Sequence, residues 1–201
     1  MRVLIAVPTF ETITPDTYKS LWDLDKPCDC DFHFVRGYDC AQARTNIASV
    51  AIEDGYDYIL MVDSDIVVPE NALRDLLEHE SDVCIGFYVR KGSKDGGTCL
   101  YRRERPNYDE CFTVSEMRAM RDGGEYTLRV KGGGLGCALV SVSVFEKIAF
   151  PWFDWVTYAD GHGVLSEDLY FCRECERAHV PIYADTRVAC GHVFRTLHES
   201  T

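Results

Sequence analysis

The chain has no long hydrophobic run. None of its apolar stretches approaches the ~20 residues that span a bilayer, and the opening Met1–Val7 is too short for the apolar centre of a secretory leader and meets Pro8 with no cleavage-type pattern. A cytoplasmic protein is the expectation. Positive charge is also scarce: 21 Lys and Arg stand against 33 Asp and Glu, for a net charge of -12. A long nucleic-acid footprint needs clustered cations to displace counterions, so this balance disfavours one. The densest basic patch, Arg102, Arg103 and Arg105, reads as a solvated loop. Internal repeats, low-complexity tracts and a composition break that would mark a domain boundary are all missing. So is a glycine-rich phosphate loop after the first apolar run, where Val7-Pro-Thr-Phe10 has neither glycine nor a basic residue; this argues against a nucleotidyltransferase. Gly132 to Gly136 cannot serve as a dinucleotide loop, because the G-x-G-x-x-G spacing needs glycine where Cys137 stands. Cysteine is plentiful at ten residues, but zinc-type spacing is not. Cys28-Asp-Cys30 lacks the two-residue gap, and Cys172 and Cys175 share a helix face with Leu169 and Ala178, as small core residues do. In the expected compartment these thiols stay reduced.

What is present is a regular alternation. The 201 residues, 46% of them apolar, suit one domain. An apolar run at 2–7 reads as a buried strand, with Thr14 as a cap ahead of Pro15 and a short helix near 15–22. A strand at 31–36 closes at Gly37. A helix follows over about 41–53, with Ala43, Ile47, Val50 and Ala51 on one face and Gly55 as its stop. Strand 57–62 leads to Asp63 and Asp65, Pro69 opens a helix over about 69–79, and a strand follows at 82–88. Strand and helix in turn predict a mostly parallel central sheet with helices on both faces. Beyond it the pattern is looser: a polar loop at 90–98, short strands and turns over 99–130 with a short helix near 114–121, and a strand at about 137–142. A short helix at 143–148, a helix from about 166 to 178 and a strand at 181–184 complete the pattern.

The most informative stretch is Tyr58-Ile-Leu-Met-Val-Asp-Ser-Asp-Ile-Val-Val-Pro69. Asp63 and Asp65 lie two apart on extended backbone, so both carboxylates can face one side where the strand ends. Two adjacent carboxylates repel unless a positive group lies between them. A divalent metal carrying a phosphorylated ligand satisfies both. In open parallel sheets, ligands bind beyond the carboxyl ends of the strands, which is where Pro8, Thr9, Gly37, Asp63 and Asp65 fall. Helix capping ahead of Pro69 accounts for at most one of the two aspartates.

These residues resemble a known family. Asp63-Ser64-Asp65 after an apolar strand is similar to the DxD motif of GT-A fold glycosyltransferases of the family-2 and mannan-polymerase types, and further blocks match in order. Val7-Pro-Thr9 resembles the nucleotide-binding first loop, and Ala43-Arg44-Thr-Asn46 the "ARN" helix. Gly132-Gly-Gly-Leu-Gly-Cys-Ala-Leu139, with Val144-Phe-Glu-Lys-Ile148 after it, resembles the central acceptor-side segment. Ser166-Glu167-Asp168 resembles the ED motif that opens the last helix, and Gly191-His192 the late histidine that supplies a third metal ligand.

The resemblance implies a single GT-A-like domain over 1–201, with a donor-binding half at about 1–90 and an acceptor-side half at about 91–201. It implies transfer of a sugar from a nucleotide-diphosphate sugar, a UDP-sugar by preference, to an acceptor hydroxyl with inversion. Pro8, Thr9, Arg44, Asn46, Asp63, Ser64 and Asp65 would contact the donor. Asp63, Asp65 and His192 would hold Mn2+ or Mg2+, the imidazole favouring manganese. Asp168 would be the base and Glu167 would orient the acceptor. Gly133, Gly134, Trp152 and Trp155 are acceptor-side candidates, since aromatic faces stack on sugar rings; Phe153 and Tyr158 lie in the same aromatic run, and His162 just before the ED motif.

Plainer readings stand beside these. Arg44 is either a donor contact or a surface arginine, and His192 either a ligand or a buried, satisfied histidine. Ser166, Glu167 and Asp168 also suit a helix N-terminus, and any of the aromatics could be core. The rival function is a phosphatase of the haloacid-dehalogenase type with Asp63 as nucleophile, although that motif belongs on a first strand and here sits on the third. The acceptor is open among glycan, lipid, protein and modified nucleic acid, and no second hydrophobic domain of the kind processive synthases need is seen.

Overall fold

Residues 3 to 8 are all buried, so the first strand lies inside the molecule, as a continuous apolar run between two neighbours should. The computed structural model describes residues 1–9, 12–37, 39–93, 96–102, 110–158 and 163–194; Arg103, Arg105 and His162 lie outside them. In chain order the elements are β1 (Arg2–Thr9), α1 (Pro15–Asp23), β2 (Asp29–Arg36), α2 (Cys40–Glu53), β3 (Tyr58–Val62), β4 (Ile66–Val67), α3 (Ala72–Leu77), β5 (Val83–Phe87), β6 (Gly97–Tyr101), β7 (Cys111–Thr113), α4 (Val114–Asp122), β8 (Thr127–Val130), β9 (Gly132–Gly133), β10 (Cys137–Ser141), α5 (Val144–Lys147), β11 (Val156–Thr157), β12 (Val164–Leu165), α6 (Glu167–Arg177), β13 (Ile182–Ala189) and β14 (Gly191–His192).

Seven strands make the central sheet, in the order β2-β1-β3-β10-β5-β13-β8. Strands β2, β1 and β3 pair in parallel, as do β5 and β13. Strand β10 runs antiparallel between β3 and β5, and β8 runs antiparallel at the far edge. The result is one α/β domain with a mostly parallel, mixed sheet. Helix α2 packs on β1, β2 and β3, α3 on β5, β10 and β13, α4 on β13, and α6 on α2 and β9. Among the described residues no helix is long and apolar enough to cross a membrane.

Local signals place several elements as expected. Thr14 caps α1 by accepting from the Thr17 N–H, and Thr113 and Glu116 form a reciprocal capping box at α4. Cys172 and Cys175 are fully buried on α6, and all ten cysteines are free thiols. Arg102 is less solvated than its loop suggested: its guanidinium lies 3.7 Å from the Phe112 ring centroid and pairs with Glu116.

Two expectations needed correction. Pro69 does not open α3, which begins only at Ala72 after Asn71. Residues 66–67 are instead drawn into β4 by pairing with β14. Residues 97–98, read as part of a polar loop, belong to β6, and Gly133 pairs there with Leu100.

The direction of β10 matters for the site. Because it opposes β3, its first residues start at the carboxyl end of β3, and Cys137 pairs with Val62. The glycine-rich segment before it is therefore delivered to the place where Asp63 leaves the sheet.

Candidate active site

Asp63 turns the chain. Its N–H donates to the Gly136 carbonyl at 3.0 Å, and its own carbonyl accepts from Ile66 N–H at 3.0 Å. That turn directs Ile66 and Val67 against His192 and Gly191. The Val193 N–H donates to the Asp65 carbonyl at 2.9 Å, closing the ribbon. Asp65 and His192 thus meet although 127 positions separate them, with Nε2 of His192 3.6 Å from Oδ2 of Asp65. On the other side of the ring, Nδ1 lies 2.8 Å from the Val89 carbonyl. A carbonyl only accepts, so Nδ1 donates to it, and Nε2 is the ring nitrogen that faces the carboxylate. The ring is steadied by Tyr88, edge-on at 5.2 Å, and by Phe194 at 4.8 Å.

The donor set fits a divalent cation. Two ligand atoms each about 2.1 Å from one ion lie within about 4.2 Å of each other, and Asp65 and His192 satisfy that. Asp63 is not gathered with them: among the described residues no group of three or more His, Cys, Asp or Glu side chains forms a ready metal cluster. The Lys91 ammonium lies 2.5 Å from the same Asp65 oxygen, so a cation already faces this corner. A cleft of about 480 Å3 opens here, lined by Thr12, Thr14, Ser64, Asp65, Lys91, Val193 and Phe194.

Arg44 is neither a surface residue nor open to a ligand. It projects from α2 into the interior, 2% exposed, and its Nη2 donates to Asp63 Oδ1 at 2.8 Å. Its Nε donates to Glu167 Oε1 at 3.3 Å, and Nη1 to the Leu135 carbonyl at 3.4 Å. One buried guanidinium therefore fixes Asp63, Glu167 and the glycine-rich segment together. Neighbouring carboxylates raise its pKa against the opposing effect of burial.

At the start of α6, Asp168 Oδ1 accepts from the Ser166 hydroxyl and from the Leu169 N–H, the latter at 2.8 Å. Ser166 stands at the N-cap position without a side-chain cap bond of its own. Burial raises the pKa of Asp168, with Ser166 and Arg44 opposing the shift. Burial likewise raises Glu167 against the pull of Arg44. A carboxyl group raised toward neutrality while still ionisable is suited to accept a proton.

The other sequence candidates divide. Pro8 is buried; the Thr9 hydroxyl donates to the Thr12 carbonyl, and the Thr14 N–H reaches Ser64 O at 2.9 Å, so the first loop lies against the Asp63–Asp65 turn. Asn46 is exposed, because two residues past Arg44 on a helix is the opposite face, and the structure does not bring it to the site. Gly133 and Gly134 are buried, and their lack of a side chain is explained by packing: a Cβ on Gly134 would stand 2.2 Å from Tyr88 Oη. Trp152 packs on Phe145 at 5.0 Å, Phe153 stacks on Phe171 at 5.1 Å, and Trp155 is half exposed.

Sequence reasoning missed Tyr88 and Lys91. The Tyr88 hydroxyl accepts from the Gly136 N–H at 3.2 Å, and burial holds its phenol well above its ordinary pKa. Their one sequence signal was position, since both follow the carboxyl end of β5.

No family profile and no curated protein sequence matches the chain. Solved structures that share its fold include the following two. A197 from STIV superposes with a TM-score of 0.66 at 20% identity, over 97% of this chain and 87% of that one. S. aureus TarS 1-349, crystallised in complex with UDP-GlcNAc, superposes with a TM-score of 0.54 at 17% identity, over 98% of this chain and 60% of that one. At such identity the likeness carries the fold, which is GT-A-like.

Proposed function

We propose that the chain is a metal-dependent glycosyltransferase that moves a sugar from a nucleotide-diphosphate donor, a UDP-sugar by preference, to an acceptor hydroxyl with inversion. The observation that carries this reading is the Asp65–His192 pair, 3.6 Å apart with Nε2 of the imidazole facing the carboxylate, beside carboxylates fixed by Arg44. The TarS structure supports the donor class, since a protein of similar fold is seen with UDP-GlcNAc.

Asp65 and His192 would hold the ion, with Asp63 behind them. When bound, a Mn2+ or Mg2+ ion supplies Lewis-acid stabilisation of charge on the departing diphosphate. The protein residues do the rest. Asp168 takes the proton of the acceptor hydroxyl as its oxygen bonds to the anomeric carbon, while the bond from that carbon to the diphosphate breaks and the nucleoside diphosphate leaves with the electron pair. Glu167, pinned by Arg44, orients the acceptor. Lys91 exchanges Asp65 for a donor phosphate oxygen. Residues from about 1–90 serve the donor, joined by Lys91 and His192, and the rest of about 91–201 serves the acceptor.

The phosphatase reading is not favoured. Asp63 follows the third strand rather than the first, and its Oδ1 is held by Arg44 at 2.8 Å.

Thermal unfolding tests the proposal. UDP and Mn2+ together are expected to raise the melting temperature by mass action on the folded state, and Asp65→Ala is expected to abolish the rise. No shift in the wild type, or an undiminished shift in the variant, refutes the donor site.

A further inference from the structure

The two aspartates that follow β3 are each neutralised by a cation of the chain, but in different ways. Asp63 is held by Arg44, whose side chain is 2% exposed and also bonds Glu167 and the Leu135 carbonyl. Parting that pair would strand charge in the interior, so it is permanent. Asp65 is held by Lys91, whose side chain is 60% exposed. Ion pairs in contact with solvent are weak, so this one is exchangeable. Lys91 takes the same oxygen, Oδ2, that lies 3.6 Å from Nε2 of His192. The ammonium and a divalent cation therefore compete for one carboxylate oxygen. The backbone around the lysine is tied down. The Arg90 N–H donates to the Gly97 carbonyl at 3.1 Å, and the Ser93 N–H to the Arg90 carbonyl at 3.2 Å. Gly92 completes the turn at a φ of +77°, so the freedom of Lys91 lies in its flexible four-carbon stem. Arg90 itself is turned away, donating to the Tyr101 hydroxyl at 3.4 Å and to Cys111 Sγ at 3.3 Å. Among the described residues that line the cleft of about 480 Å3, Lys91 alone is cationic.

We propose that Lys91 is a built-in competitor for the cation at Asp65 and that it makes cation and donor diphosphate bind as a cooperative pair; this rests on the donor reading given above. A cation arriving alone has to displace the ammonium and leaves it without an anion. A diphosphate arriving alone meets an ammonium already engaged by Asp65, with that carboxylate beside it. When both arrive, each removes the obstacle to the other: Asp65 turns to the cation and Lys91 to a phosphate oxygen. By linkage the effect is reciprocal, so the nucleotide strengthens the cation by the factor by which the cation strengthens the nucleotide. The site then stays closed to either ligand by itself.

Calorimetric titration of Mn2+ into the full chain, with and without UDP, tests this. The wild type is expected to take up Mn2+ weakly alone and more tightly when UDP is present. Lys91→Met is expected to bind Mn2+ alone about tenfold more tightly than the wild type, and to gain about tenfold less from UDP, within the usual range of coupling between two sites. Lys19 supplies the control. It lines the neighbouring cleft together with His192 and pairs with Asp23, so Lys19→Met removes the same charge without touching Asp65. That variant is expected to bind Mn2+ as the wild type does. If it tightens Mn2+ as much as Lys91→Met, the effect is one of net charge and the proposal falls. If Lys91→Met binds Mn2+ alone no more tightly than the wild type, while UDP still strengthens Mn2+ in both, the competitor is refuted and the donor site stands. A wild type that takes up no Mn2+ with or without UDP refutes both.

Discussion

Arg44 brings one positive charge to a place shared by Asp63, Glu167 and Asp168, all of which act on it electrostatically. Replacing it with methionine leaves two neighbouring carboxylates without their ion-pair partner in the interior. Breaking a buried pair from one side costs about 3–5 kcal/mol, so Arg44→Met is expected to lose that much in urea denaturation, or to fail to fold. Asp168 should behave in the opposite way. Burial makes the folded chain hold its proton more tightly than the unfolded chain does, so its ionisation costs stability as pH rises from the ordinary carboxylate range through the raised value. Asp168→Asn removes that cost while keeping an oxygen for Ser166 and the Leu169 N–H. The variant is expected to melt above the wild type at neutral pH, with the gap closing toward acid, and to bind donor without transferring sugar. Arg44's burial was not legible in advance, because its partner Glu167 lies 123 residues away. Asp63, Asp65, Asp168 and His192 were singled out by their order along the chain, which needs no knowledge of contacts; the structure brings Asp65 and His192 together.

Strands and helices were legible wherever periodicity alone defines them, as in β1, α2, β3 and β5. The direction of β10 was not, because a run of buried residues reads the same whichever way it points. The start of α3 was not either: Pro69 is a sound local signal, but residues 66–67 answer to β14, more than a hundred positions away. The glycine-rich segment suggested a ligand surface, and its packing offers a sharper test. Gly134→Ala would force its Cβ against Tyr88 Oη, and overpacking of this kind costs about 1–3 kcal/mol. Tyr88→Phe removes the clashing oxygen but leaves the Gly136 N–H without its acceptor. The two substitutions together are therefore expected to cost less than the sum of each alone in a double-mutant cycle followed by denaturation.

Across the molecule, the candidate site gathers Thr14 from near one end and His192 from near the other. Ending the chain at Cys190 would delete β14 while leaving all seven strands of the main sheet. Such a chain is expected to remain folded by circular dichroism yet show no thermal response to UDP with Mn2+; retention of that response would mean that His192 is dispensable. The short β4–β14 ribbon also sets an order of events in the cell. A ribosome that has made the first three strands has already supplied Asp63 and Asp65, but the Gly136 carbonyl that holds the turn and the histidine that faces it are translated later. Under the proposed function, the nascent chain is expected to give no response to the nucleotide until His192 has been translated.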